Sequence, residues 1–590
     1  MDMNMLWQLD DLFSGFDSKE FVQGLSRVDT LIGEYGIWTD NLGKREDKPE
    51  KIIEEYLNMR NLLGAELSRF ADYAELVFSV ETTNQEAVKY LELFEKKLSQ
   101  VEVVDVKFAK WITRHRKIDF TQSSEVIKNH SFHLSELIGR GRHMLDSSKE
   151  KIISDMRATG SSAWTNLHNI LTSSLLVDFV EEGKVVDEKP LSAVRNMAYS
   201  PDLATRKKAY DAELAAYSKI EKSIAACLNG IKGEVITTSR LKKYKTPLEM
   251  ALSKSRMEKK TLDAMMKSLK KHLSVFRKYY IKKGKMLGHK NGLPFYDLFA
   301  PVGKTDMQFT YSEARDFIVE KFSTFSDELG NFAKTAFDKR WIDAKPREGK
   351  VGGAFCMNLR SISQSRILAN FSGSYNDVRT IAHELGHGFH GYCLGKESFL
   401  NSHYPMPLAE TASIFCETIV NHAALKQANP DQQLSILEAE VSSSGQVIVD
   451  IYSRYLFETK VFEERNSTSL SVDRLKEIML DSQRKSYGVG LDPECLHPYM
   501  WLVKPHYYMA DYNFYNFPYA FGLLFAKGLY AIYLEKGSSF VEDYKKLLSE
   551  TGKKSILDVA KGVGIDLNST SFWDGSFEVL KEDIDRFLKC

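Results

Sequence analysis

The chain has 590 residues, 43% hydrophobic and 27% charged, with Lys plus Arg and Asp plus Glu balanced at 80 each. That length exceeds what one core needs, so two or more lobes are expected, and the charge balance excludes a general pull towards nucleic acid or an acidic membrane surface. Proline at 14 and glycine at 35 are scarce, which suits a mainly helical chain with few turns.

The opening M-D-M-N-M-L-W-Q-L-D-D-L-F has no basic region followed by an apolar core, so a secretory signal is not expected. Six cysteines (Cys227, Cys356, Cys393, Cys416, Cys495 and Cys590) are dispersed without a Cys-x-x-Cys pair, the usage of a reduced, cytoplasmic protein. From Lys19 to about Ile170 apolar residues recur at helical spacing. Val88, Leu91, Phe94, Leu98 and Val101 predict one inner face, with Glu92, Glu95, Lys96 and Lys97 outside.

Leu175 to Lys189 breaks that pattern and reads as a hairpin turning near Glu182 and Gly183, ended by Pro190. The expected boundary lies there, giving a helical lobe 1–190 and a second domain 191–590. Ser200-Pro201-Asp202 predicts a new helix with proline in its first turn, and residues 284–306 read as a loop-rich connection. The uncharged stretch between Asp511 and Lys527 is too short and too polar to span a bilayer, so no membrane partner is expected.

Residues 349–374 leave the helical pattern again. V-G-G-A-F and R-I-L-A-N-F-S-G are short β-prone runs bounded by glycine. A strand edge near Ala369, Asn370 and Phe371 would hold a peptide main chain by β-augmentation; a hairpin that only packs against its neighbours fits the same residues.

The stretch that follows carries the chemistry. In T-I-A-H-E-L-G-H-G-F-H-G-Y, His383, Glu384 and His387 form His-Glu-x-x-His, the pattern of zinc metalloproteases. On a helix, residues four apart share a face, so both imidazoles converge on one ion while Glu384 reaches a water beside it. Ser374 and Asp377 give a Ser-x-x-Asp start signal ahead of Val378, Ile381, Ala382 and Leu385.

Zinc needs a further protein ligand. A third histidine ten residues after His383 is absent, because Cys393 stands there and His390 stands where that pattern has glycine. The other source is the following helix, A-E-T-A-S-I-F-C-E-T-I-V-N-H, where Glu410 and Glu417 lie seven apart on one face. One would bind the metal while the other accepts a hydrogen bond from a ligand histidine.

With W-Q-L-D-D-L-F, K-V-G-G-A-F-C, H-E-L-G-H-G-F-H and L-A-E-T-A-S-x-F-x-E in place, the sequence resembles oligoendopeptidase F of the thimet oligopeptidase family over most of its length. The resemblance implies a mainly α, two-lobed helical metallopeptidase with a small β-sheet beside the active-site helix and a deep substrate channel. It implies one zinc ion, with Glu410 as third ligand and Glu417 behind the histidine, and short peptides as substrates. It also implies a His and Tyr cluster late in the chain, matched here by H-Y-Y-M-A-D-Y-N-F-Y-N-F-P-Y-A-F-G. Tyr512, Tyr515 and Tyr519, three and four apart, would align on one helical face and donate to an oxyanion. The family spacing favours Tyr512 and Tyr519, with His506 beside them; Asn516 stands where another tyrosine is expected.

The expected activity is hydrolysis of internal bonds in short oligopeptides by metal-activated water, with Glu384 as general base. A metallocarboxypeptidase would use the same zinc motif. A helical di-iron protein would use Glu-x-x-His pairs, here Glu384/His387 and Glu494/His497, but the second is flanked by Pro493 and Pro498. A helical scaffold with a degenerate site is opposed by the intact Glu384.

Overall fold

A computed structural model describes residues 4–181, 184–303, 307–395 and 397–590. The chain is mainly helical and forms two compact units, each assembled from three separate segments. The first comprises Met1–Met144, Met307–Ala424 and Ile532–Asp566; the second comprises Leu145–Asp306, Leu425–Ala531 and Leu567–Cys590. Residue 190, expected as the boundary, falls inside the second unit, and the chain first passes between units at 144/145.

In the first unit three long helices, Lys19–Asp40, Pro49–Val80 and Gln85–Arg114, pack on an aromatic cluster that includes Phe13, Phe21, Phe70 and Tyr73. Ser18 and Asn84 start the first and third by accepting from the backbone N–H three residues on. On the third helix Phe94, Val101, Val104 and Phe108 are buried, but Lys97 is buried at 6% exposure and Leu98 lies out at 45%. The sequence pattern placed these two the other way round. Steps of three, four, three and four from Phe94 pass through position 97, and Asp29 supplies the charge that makes a lysine tolerable there.

The same unit holds three short strands: β3 (Ile342–Asp343), β4 (Phe355–Leu359) and β5 (Gln364–Leu368). Strands β1 (Leu176–Glu181) and β2 (Lys184–Pro190), in the second unit, form the expected antiparallel hairpin, whose turn at Glu182 and Gly183 lies outside the described residues. In the three-stranded sheet β5 is central, parallel to β3 and antiparallel to β4.

In the second unit the helix expected from Pro201 runs Leu203–Tyr217, with Asp202 as its N-cap accepting from Thr205 N at 2.8 Å. Pro201 therefore precedes the helix and does not form its first turn. Packing centres on Glu221–Leu241, Lys259–Met286, Ile451–Arg465, Val472–Tyr487 and Thr570–Lys589. The apolar stretch near 517 extends further than its uncharged core suggested. The helical segment Phe517–Glu550 contains an 18-residue window apolar and long enough to cross a membrane, and 72% of that window is buried inside the protein. It is core.

Candidate metal centre and active site

The helix Tyr375–Cys393 begins where the sequence signals it. Ser374 Oγ accepts from Asp377 N at 3.2 Å, and Asp377 Oδ2 accepts from Ser374 N at 3.0 Å, a reciprocal capping box. Val378, Ile381, Ala382, Leu385 and Phe389 are fully buried, so the helix is fixed by one face and turns His383 and His387 to a partly open one. Glu384, between them, is buried at 7% exposure.

Glu410 joins them from the head of the next helix. It ends the short helix Met406–Ala409, and its carbonyl accepts from Ile414 N at 3.2 Å as Thr411–Gln427 begins. The expectation of both glutamates within one helical face holds for Glu417 alone. His383 is nevertheless bracketed by the two: Nε2 lies 3.2 Å from Glu410 Oε2, and Nδ1 lies 3.1 Å from Glu417 Oε2. His387 Nε2 is 3.5 Å from the same Glu410 oxygen. Ligands on a tetrahedral ion with bonds of about 2.0–2.1 Å stand about 3.3 Å apart, so this two-nitrogen, one-oxygen set fits zinc. Among the described residues it is the one group of three or more side chains able to hold a metal.

Two further side chains complete the cradle. Ser413 Oγ donates to Glu410 Oε2 at 2.7 Å, and Arg379 Nε lies 3.0 Å from Glu417 Oε1. Sequence reasoning missed Arg379, although it sits one turn before His383 on the same helical face. Burial pulls the His383 imidazolium down, but Glu410 and Glu417 outweigh it and hold the group up at about 10. Burial sends His387 down to about 4, aided by the charge on His383 and opposed by Glu410. Burial also pushes the Glu384 carboxyl up to about 7, against the pull of His383; a cation at the site would draw it back down.

Glycines let these elements approach. A Cβ on Gly386 would stand 2.5 Å from the carbonyl oxygen of Ala412 and 2.6 Å from Ser413 Cα, so this glycine lets the second helix come close enough to deliver Glu410. On the sheet side a Cβ on Gly391 would meet Asn358, whose Nδ2 donates to the His387 carbonyl at 3.2 Å while Ser365 Oγ donates to its Oδ1 at 2.8 Å.

The strand expected to receive substrate is partly occupied by the protein's own pairing. Ala369 and Phe371 are buried, and their N–H groups donate to the carbonyls of Asp343 and Ala344 at 2.9 and 2.8 Å. Lys350 Nζ donates to the Ala369 carbonyl at 2.6 Å, and Asn370 Nδ2 donates to Val351 and Gly353 at 3.2 and 3.0 Å. The Ala369 and Phe371 N–H groups and the Ala369 carbonyl are therefore taken by the protein itself. These residues follow the end of the central strand β5, whereas β4 has no partner strand on its other side among the described residues.

The His and Tyr cluster forms within the second unit. His506 lies 5.2 Å from Tyr515 and 6.2 Å from Tyr519 between ring centroids, Tyr512 lies 5.5 Å from Tyr515, and Tyr515 lies 5.6 Å from Tyr519. The helix starts only at Phe517, so Tyr512 and Tyr515 do not share a helical face with Tyr519. A left-handed Phe514, φ 55°, and an Asn516 N–H donated to the Phe514 carbonyl at 2.7 Å turn the chain tightly around Tyr515. Phe514, Phe517 and Phe521 are buried as core, while Tyr512 is 55% exposed and Tyr515 and Tyr519 are half-buried. Burial, with the charges of Arg454 and Lys504, lowers His506 below the usual histidine range. Glu494 and His497 lie in a loop, with His497 beside Glu213 at 3.6 Å, which removes the di-iron pairing.

The profile of peptidase family M3 matches residues 196–579, and that of oligopeptidase F matches residues 117–176. Oligopeptidase PepF of Bacillus subtilis is 25% identical over 98% of this chain and 86% of its own. An oligoendopeptidase F homolog of Borreliella burgdorferi is 23% identical over 99% and 98%. The fold matches a crystal structure from Chlamydophila abortus at a TM-score of 0.80, with 21% identity over 99% of this chain and 98% of that one. It matches oligoendopeptidase-F from Enterococcus faecium at 0.68, with 17% identity over 96% and 99%. With His383, Glu384, His387 and Glu410 inside the matched segment and the profile spanning more than half of the sequence, the chain belongs to peptidase family M3.

Proposed function

We propose that this protein is a zinc-dependent endopeptidase that hydrolyses internal bonds of short oligopeptides. The observation that carries the reading is the convergence of His383 Nε2 and His387 Nε2 on Glu410 Oε2 at 3.2 and 3.5 Å, with the buried carboxyl of Glu384 on the same helix. His383, His387 and Glu410 would hold one zinc ion. When bound, the ion supplies Lewis acidity, which polarises a scissile carbonyl and acidifies a water.

Glu384 takes a proton from the attacking water and returns it to the leaving amine, so no covalent acyl-enzyme forms. Glu417, held by Arg379, accepts from His383 Nδ1 and fixes the tautomer that leaves Nε2 as the ligand atom. Tyr512, Tyr519 and His506 donate to the oxyanion that develops on the carbonyl. The unpaired side of β4 receives the peptide main chain by β-augmentation. A reduced cytoplasmic setting fits the six free cysteines.

The names of the B. subtilis and B. burgdorferi relatives support oligopeptides as the substrate class. The test is incubation with peptides of graded length, with and without a chelator, followed by mass mapping of the products. Chelator-sensitive cleavage at internal bonds is expected. Stepwise loss of single C-terminal residues would instead make this a metallocarboxypeptidase. The same peptide inserted in a rigid loop of a stable domain should resist cleavage, because exposing it costs roughly 5–15 kcal/mol of unfolding.

A further inference from the structure

The turn that carries Tyr512, Tyr515 and Tyr519 is built around four polar side chains with no part in the chemistry proposed above. Lys232, on the helix Glu221–Leu241, is fully buried; its Nζ donates to Glu458 Oε1 at 2.7 Å and to Asn513 Oδ1 at 3.0 Å. Glu458, on the helix Ile451–Arg465, is 1% exposed, and its second oxygen accepts from Asn516 Nδ2 at 3.0 Å. Asn513 Nδ2 donates to the Ala510 carbonyl at 2.7 Å, and Asn516 Oδ1 accepts from Phe517 N at 2.6 Å where the helix begins. Both ends of the turn are thus tied to one buried ion pair. Between them Phe514 holds a left-handed φ of 55°, which a bulky residue rarely adopts, packed on Phe462 at 5.4 Å and Tyr455 at 5.9 Å.

Such a conformation persists only where its surroundings over-determine it. A buried charge pair is an unusual means when apolar packing alone gives equal or greater stability, so a role in specifying one geometry is the reason to look for. We infer that Lys232, Glu458, Asn513 and Asn516 are positioning residues whose buried network sets the tyrosine hydroxyls where the reaction needs them. Asn516, at a position where the family pattern leads one to expect a tyrosine, is one of the anchors. Arg157 also donates to the Asp511 carboxylate at 2.9 Å and Lys254 Nζ to the Asp511 backbone carbonyl at 2.7 Å, but these contacts are exposed. Surface pairs of that kind hold geometry weakly.

The inference rests on the reading that the tyrosines act in catalysis, and the test separates the two. The double variant Lys232→Met with Glu458→Leu removes the ion pair without stranding a buried charge. With folding checked by circular dichroism and bound zinc counted, kcat should fall about 10- to 100-fold with KM changed less than about threefold. Added to Tyr519→Phe, the double variant should lower kcat by less than about threefold more, because the misplaced hydroxyl is already gone. Arg157→Gln should stay within about twofold of wild type.

If Tyr519→Phe itself leaves kcat unchanged, the tyrosine reading fails and takes the inference with it. If Tyr519→Phe is impaired but the double variant is not, or the two effects multiply, the positioning role alone is overturned. Asn516→Ala, which removes only the tie from Glu458 to the turn, decides by the same readings if the double variant does not fold.

Discussion

The helix Tyr375–Cys393 and the tyrosine segment 506–519 both gather the polar side chains on which the proposed function rests, but by different physical means. The first is regular backbone: a capped helix whose 3.6-residue period puts His383 and His387 on one face once the other face is buried. The second reaches regular helix only at Phe517, and its tyrosines are brought together by a left-handed residue and by buried partners as far as 281 positions away. A helix transmits geometry along the chain, so its site is sensitive mainly to the ligands themselves. A turn borrows geometry from elsewhere, so its site is sensitive to residues that never meet substrate.

Substitutions in each region test that contrast. Glu384→Gln should cause the largest loss, about 10³- to 10⁴-fold in kcat, while retaining stoichiometric zinc, because the ligands survive and the base does not. Glu410→Ala should lose the metal itself, whereas Glu417→Ala should weaken metal affinity only about 10- to 100-fold. Elemental analysis after dialysis distinguishes them, and a Glu410 variant that keeps zinc while the Glu417 variant loses it would reverse the assignment.

Tyr519→Phe removes a hydroxyl and keeps the ring. It should lower kcat about a hundredfold with little change in KM; a loss confined to KM would make the tyrosine a substrate-binding group.

Gly386→Ala probes whether the metal region also has a distant dependence. Its Cβ would stand 2.5 Å from the Ala412 oxygen, which is backbone and cannot swing away. A cost of about 1–3 kcal/mol is expected, seen as a lower Tm together with weaker zinc binding. An unchanged affinity would mean that Glu410 does not depend on this close approach.

The smallest effect on catalysis is expected at Asp72, on the helix Pro49–Val80, where burial pushes the carboxyl up to about 7 against the pull of Arg360. The folded value lies above the ordinary value of about 4, so the folded chain holds the proton more tightly than the unfolded one. That contribution to stability is complete below about pH 4 and is lost as pH rises through 7. Asp72→Asn does not titrate, so its advantage in Tm over wild type should grow between pH 4 and 7 and then level off. An equal difference at pH 5 and pH 8 would contradict the shift.

The sequence by itself determined the helix Tyr375–Cys393, its Ser374–Asp377 start, and the shared face of the two histidines with Glu384 between them. Each depends on spacing within a few turns of helix, and period and capping chemistry are local. The limit shows at Lys97 and Leu98, which are adjacent: the phase of the buried Phe94, Val101 and Val104 puts position 97 inside, and Asp29, far off in sequence, makes a lysine tolerable there. Only the tertiary structure decided that Glu410 heads its helix, that β5 is the central strand with the Ala369 and Phe371 N–H groups beyond it taken by Asp343 and Ala344, and that the tyrosines lie on a turn. Strand order depends on which segments pair across the chain, and a left-handed turn depends on what pays its strain. Those partners, Asp343 and Ala344 for the strand and Lys232 and Glu458 for the turn, stand too far away in sequence for any local pattern to name them.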